Sequence, residues 1–390
     1  MLGVLFVVGL LVAVFVGFNI GGSSTGVAFG PAVGSGTLSK VAAAALMTGF
    51  ALLGGWTVGR NVIDTMGGEI VASSLFTPTT SVIVLLFIGG SLLISNLFGV
   101  PASTSMTAVG AIAGLGAARG GLDMAVLGGI VVWWLISPLL AFWLCAVIGR
   151  YLYPYLDYYF AIDRSDGRLV DLDRSGLVPR LVLVDDTTPR ELLGTFLVIA
   201  IACYMAFSAG ASNAANAVAP LVGSGQLSID AGVLLAGGAI GLGAFTIARR
   251  TLDTVGNDLT DLPLLAALIV EVVSASLITF LSAIGIPASL AVSATMCIVG
   301  LGWGRATRTA SVRGAVSGQE EAAVSVNALA AEPDREETVP GIGEEDPSEL
   351  TASDLFDPAA TGRVVSLWIL TPSLAAAASY GVFRAFAILV

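Results

Sequence analysis

Ten hydroxyl and amide side chains carry the chemistry open to this chain: Ser23, Ser24, Thr25, Ser103, Thr104, Ser105, Ser212, Asn213, Asn216 and Ser289. All lie in glycine- or proline-marked stretches between long apolar runs. Hydroxyls and amides donate and accept hydrogen bonds, and the exposed N–H groups of a helix start favour an anion. Together they can hold a tetrahedral oxyanion with no lysine or arginine counter-charge. The chain has no histidine, Lys40 is its one lysine, and Cys145, Cys203 and Cys297 are scattered in apolar sequence. That inventory excludes metal-assisted hydrolysis and a disulfide framework. The chemistry expected here is binding, with no catalytic residue and no cofactor.

A second set could hold a coupling cation. Glu271 stands in the middle of an apolar run, Leu264-Leu-Ala-Ala-Leu-Ile-Val-Glu-Val-Val-Ser-Ala. A carboxylate there costs about 2.5–3.5 kcal/mol on insertion scales, so it is expected to act as a sodium ligand or proton carrier. Asp64 and Asp253 follow Arg60 and Arg250 and are read as interfacial ion pairs, helix caps or cation ligands. Asn61, Thr65 and Asn257 could add oxygen ligands, with sodium the candidate metal ion.

These residues recur in register. Gly21-Gly-Ser-Ser-Thr-Gly-Val-Ala-Phe-Gly-Pro31 returns 189 residues later as Gly210-Ala-Ser-Asn-Ala-Ala-Asn-Ala-Val-Ala-Pro220. Asp64-Thr-Met-Gly67 returns as Asp253-Thr-Val-Gly256, Pro101-Ala-Ser103 as Pro287-Ala-Ser289, and Trp134-Leu-Ile-Ser-Pro138 as Trp368-Ile-Leu-Thr-Pro372. An ordered duplication of small, polar segments inside hydrocarbon-length hydrophobicity predicts interrupted helices around a central site, in two inverted-topology repeats.

The elements that must position them are membrane spans. The chain of 390 residues is 56% hydrophobic and 12% charged, with mean hydropathy +0.91, against the roughly 25% charge of soluble domains. The fold class expected is therefore an all-α, polytopic transmembrane helical transporter with broken or re-entrant helices. Spans are predicted near 2–20, 37–58, 80–99 and 122–148, then 191–208, 226–247, 264–284 and 363–388. The proline-opened stretches after 100 and 286 read as half-spanning helices. Trp134 and Trp368 are expected to pack against proline kinks.

The boundaries are 1–149 for the first repeat, 150–190 for a polar linker, and 191–305 for the first part of the second repeat. An acidic loop follows at 306–362, then the final span at 363–390. The linker carries six arginines, which favours the cytoplasmic side, and Arg305, Arg308 and Arg313 put the acidic loop there too. Both termini then face outside. Twelve Asp or Glu between Glu320 and Asp357, with three prolines, predict disorder in that loop. The net charge of −11 excludes a nucleic-acid partner and suits a halophilic source. The apolar, tryptophan-bearing spans are compatible with a homodimer in the cell membrane.

On these residues the chain resembles the PiT inorganic phosphate transporters. Gly210-Ala-Ser-Asn-Ala-Ala-Asn-Ala217 is similar to the family's Gly-Ala-Asn-Asp-Val-Ala-Asn-Ala, and Gly21 to Ala28 more loosely so. Pro101-Ala-Ser-Thr-Ser-Met106 and Pro287-Ala-Ser-Leu-Ala-Val292 resemble its Pro-Val-Ser-Thr-Thr-His. The resemblance implies import of inorganic phosphate driven by sodium or protons. It also marks departures: Ser24 and Asn213 replace the motif aspartates, and Met106 replaces the histidine. Sulfate or another oxyanion is the alternative cargo, and a passive anion channel the alternative mode. An intramembrane protease would need its two Asp-Thr-x-Gly aspartates about 3 Å apart, which their expected places at the borders of spans oppose.

Overall fold

The computed structural model describes residues 2–98, 103–160, 170–173, 180–183, 189–248, 252, 263–309 and 358–389. Asp253, Asn257 and nearly all of the acidic loop lie outside them. Twelve helices are described: α1 Leu2–Gly34, α2 Lys40–Thr57, α3 Gly59–Asp64, α4 Pro78–Phe98, α5 Thr104–Arg119, α6 Met124–Val147, α7 Tyr153–Phe160, α8 Pro189–Gly223, α9 Ile229–Thr246, α10 Leu264–Ala283, α11 Leu290–Ala306 and α12 Pro358–Leu389. Six helical stretches among the described residues are long and apolar enough to cross a membrane. The linker adds a feature that periodicity did not signal, an antiparallel hairpin pairing β1 Val170–Asp173 with β2 Arg180–Leu183.

The duplicated glycine segments do not break their helices. α1 and α8 run helical through Gly21–Gly34 and Gly210–Gly223, each with an internal proline, Pro31 or Pro220. The reason is physical: inside a membrane protein a backbone N–H released from its helix has no water to receive it. The glycines instead allow close packing. A Cβ on Gly21 would collide with the backbone of Ile240 in α9, and one on Gly210 with the backbone of Ala51 in α2.

The helices interlace. Gly17 of α1 lies on Ala239 and Gly22 on Ile247, so α1 and α9 run parallel. Leu52 of α2 lies on Gly237 and Thr48 on Gly241, so α2 runs against α9. Ala51 on Gly210 and Gly55 on Ala214 set α2 parallel to α8, and α1 therefore runs against α8. Ser39 and Ser228, 189 residues apart, cap α2 and α9 through the N–H groups of Ala42 and Ala231. α6 packs along α11, while α12 packs along α5 and ties to it through Ser379 Oγ, which donates to the Ala111 carbonyl at 2.6 Å.

The chain reverses between α4 and α5. Asp123 N–H donates to the Ile70 carbonyl at 2.9 Å, and Val71 bridges Leu122. The segment entering α4 therefore lies beside the one leaving α5, and the two helices form an antiparallel hairpin. Between α10 and α11 the chain turns at Gly285, whose φ of 75° lies in the left-handed region that favours glycine.

Candidate functional site

Two helix openings meet on the middle of α8. Ser103 caps α5 by accepting the Met106 N–H at 3.3 Å, and Ser289 caps α11 by accepting the Val292 N–H at 3.4 Å. In each first turn the cap leaves the next N–H groups, at Thr104 and Ser105 or Leu290 and Ala291, without a helical acceptor. Met106, Val292, Trp134 and Trp368 form one apolar cluster, which brings the two openings together. The indole N–H of Trp134 donates to the Pro287 carbonyl at 2.7 Å, so this tryptophan positions the start of α11 rather than filling its own kink. Trp368 Nε1 is buried with no acceptor.

A directed chain of hydrogen bonds crosses the junction. Ser212 Oγ donates to the Ala288 carbonyl at 2.7 Å, which uses its one proton. Ser105 therefore donates to Ser212 (3.3 Å) and accepts from Asn216 Nδ2 (3.2 Å). The second amide proton of Asn216 goes to Asn213 Oδ1 at 3.1 Å. Ser103, Ser105, Ser212, Asn213, Asn216 and Ser289 are all buried, and Thr104 is half-buried. One acceptor is left over: Asn216 Oδ1 is buried with no partner. Pro220, four residues on, also lacks the N–H that would take the Asn216 backbone carbonyl. The site thus offers N–H groups at two helix starts for an anion and free amide oxygen for a donor or cation.

The first-half glycine segment contributes less than expected. Ser23 Oγ donates to the carbonyls of Asn19 and Ile20, and Thr25 Oγ1 to Gly21 at 2.6 Å, all within α1. Ser24 is half-buried. Among the described residues the hydrogen bonds of the cluster join α5, α8 and α11, and none reaches α1.

The cation candidates separate. Glu271 is buried, 4% exposed, and neither carboxylate oxygen has a partner. Asn61 Nδ2 donates to the Ala283 carbonyl at 2.7 Å, and Thr65 Oγ1 donates to Glu69 at 3.2 Å beside Gly285. Asp64 is exposed, and Arg60 pairs instead with Asp230 at 2.5 Å, tying α3 to α9. Sequence reasoning missed that pair and Trp134's role; the matched positions of the two tryptophans were the available signal. Among the described residues there is no cluster of His, Cys, Asp and Glu fit for a metal ion.

Residues 20–379 match the model of the Phosphate transporter family. The chain belongs to that family. Members of the Phosphate transporter family are membrane transport proteins, not enzymes, and this one is a multi-pass membrane protein. Among its relatives, the sulfate permease CysP of Bacillus subtilis is 31% identical over 75% of this chain and 76% of its own length. A protein of Helicobacter pylori named "Putative phosphate permease" is 26% identical over 77% of this chain and 68% of its own. The solved structure titled "The sodium-dependent phosphate transporter" shares the fold, with a TM-score of 0.65 at 17% identity, over 99% of this chain and 100% of that one.

Proposed function

We propose that this protein is a secondary carrier that imports inorganic phosphate with a cation, sodium or a proton. The observation that carries the reading is the junction of two capped helix starts on α8 at a buried hydroxyl–amide cluster. N–H groups at two neighbouring helix starts suit a tetrahedral oxyanion, and the unpartnered Asn216 Oδ1 suits a P–O–H group or a small cation.

The halves act as inverted repeats that rock about this site. Three packing relations support that: α1 parallel to α9, α2 parallel to α8, and α1 antiparallel to α8. The polar linker and acidic loop face the cytoplasm in this reading. The acid-rich sequence fits a halophilic cell, and the apolar outer faces suit a homodimer.

Sulfate is the second reading. It is favoured by the identity to the Bacillus sulfate permease and by the absence of a carboxylate from the cluster, since sulfate brings no proton to accept. Uptake of labelled phosphate and sulfate into proteoliposomes, under separate sodium and pH gradients, tests both. Phosphate accumulation that sulfate fails to compete supports the first reading; the reverse selects the second. Replacing Ser103 and Ser212 together by alanine abolishes uptake, and wild-type rates in that double variant refute the site.

A further inference from the structure

The cluster does not account for the second group of buried oxygen atoms without partners. Glu271 Oε1 and Oε2, Thr279 Oγ1 and Ser282 Oγ all belong to α10. Ser282 is 0% exposed and Glu271 4%. At 100° per residue, Ser282 lies about 20° and Thr279 about 80° from Glu271 around the helix, so the three share one face over about 16 Å of its length. Buried polar atoms are nearly always satisfied, and four orphaned oxygens on one helical face call for an occupant.

That face is bridged at mid-length and ends beside exposed residues. Ser208 of α8, 0% exposed, donates to the Ala275 carbonyl at 3.1 Å, which sets a hydroxyl between the levels of Glu271 and Thr279. Beyond Ser282, the exposed Asn61 donates to the Ala283 carbonyl, and Thr65 Oγ1 sits against Gly285 beside the exposed Glu69. Oxygen atoms therefore run from the exposed residues of α3 and the π-helical turn after it, past Ser282, Thr279 and Ser208, to Glu271. Asn61 and the start of α1 lie toward the same face of the protein, because α2–α3 runs parallel to α8 and α1 runs against it.

We propose that this face of α10 is a proton route, with Glu271 as the carboxyl that binds and releases the proton and Ser282 and Thr279 as hydroxyls that relay it through intervening water, which the fixed oxygen of Ser208 can anchor as an acceptor. The inference rests on the cation-coupled carrier reading and names its ion. A hydroxyl can accept one proton while donating another, which a chain of apolar or amide groups cannot do. An ionised carboxyl with no partner in this setting carries a large desolvation cost, so charge arrives with a companion ion or leaves with a proton.

The elements packed against α10 bring few competing groups. α1 has no titratable side chain from Leu2 to Gly34. α8 has Cys203 and Tyr204 in its length, with the tyrosine hydroxyl donating to Ser276, and Arg190 and Glu191 at its start. α6 has Cys145, α11 has Cys297 and terminal Arg305, and α3 has Arg60 and Asp64, of which Arg60 is paired with Asp230. The transfer is balanced: the proton leaves bulk water on one face, resides on the Glu271 carboxyl as a neutral acid, and departs to water on the other.

The test uses the full chain in proteoliposomes with an internal pH dye and labelled phosphate and sulfate. A pH gradient without sodium is expected to drive uptake with dye-reported proton entry. Thr279→Val with Ser282→Ala is expected to slow that uptake about tenfold, the scale of one lost hydrogen-bonded step, while substrate counterflow at equal pH stays at the wild-type rate. Thr279→Ser, which keeps the hydroxyl, retains wild-type uptake. Unchanged proton-driven uptake in the double variant, or uptake driven by sodium alone with no pH change, overturns the route and leaves the carrier standing. Loss of counterflow for both anions in the wild-type protein overturns the carrier reading and the route with it.

Discussion

Replacing Trp134 and Trp368 one at a time by phenylalanine separates a positioning hydrogen bond from simple packing. Both indoles lie in the same cluster at matched positions, yet Trp134 donates to the Pro287 carbonyl at 2.7 Å and Trp368 Nε1 has no acceptor. Trp134→Phe leaves a buried carbonyl unsatisfied, at a cost of about 1–3 kcal/mol. The neighbouring Ala288 carbonyl is still held by Ser212, so the start of α11 is loosened rather than freed. The lower end of the range then applies, about 1–1.5 kcal/mol, or about five- to tenfold in a binding constant. Trp368→Phe removes an unsatisfied donor and loses no bond, so its effect on affinity should be near zero. Equilibrium binding of labelled anion to detergent-purified protein, with Tm measured in parallel, reads both quantities. Trp134→Phe should raise the Kd by that factor and lower Tm by ~2 °C or more; Trp368→Phe should leave both within error. Equal losses in the two variants would refute the assignment of Trp134 as the group that sets the α11 opening.

Gly210→Ala forces a methyl group into the backbone of Ala51, so folded yield should drop sharply, and a wild-type chromatographic profile would contradict the packing of α8 on α2. Arg60→Met removes an exposed pair with Asp230 and should cost under about 1 kcal/mol, less still at high salt; a loss measured by thermal unfolding that grows with salt would be inconsistent with a screened surface pair. Asn216→Ala removes the donor to Ser105 and Asn213 together, so anion binding should fall more than in Thr104→Ala, as titration of both variants would report.

Much of this arrangement was legible in the residues. Hydropathy marks spans that agree with α2, α4, α6, α9 and α10 to within a few residues, because hydrocarbon thickness constrains them. Pro101 and Pro287, each two residues before a serine cap, announced α5 and α11. The glycine segments misled at the local level. Low helix propensity breaks a helix in water, but in a membrane an intact backbone ladder outweighs it, and Gly21 and Gly210 serve contact with α9 and α2. Partners across the fold were not legible at all. Arg60 has Asp64 one turn away and still reaches Asp230, and Ser212 meets the Ala288 carbonyl 76 residues along the chain. Such choices depend on helix rotation, which no local pattern encodes.

The mutual bracing of α6 with α11 and of α12 with α5 has a consequence for how the chain can be cut. A fragment ending in the linker would strand α6 without its mate and leave α5 bare where the last helix should lie. Neither portion is a self-sufficient unit, so each expressed alone should be degraded or insoluble, whereas both produced in one cell should clasp into a working particle.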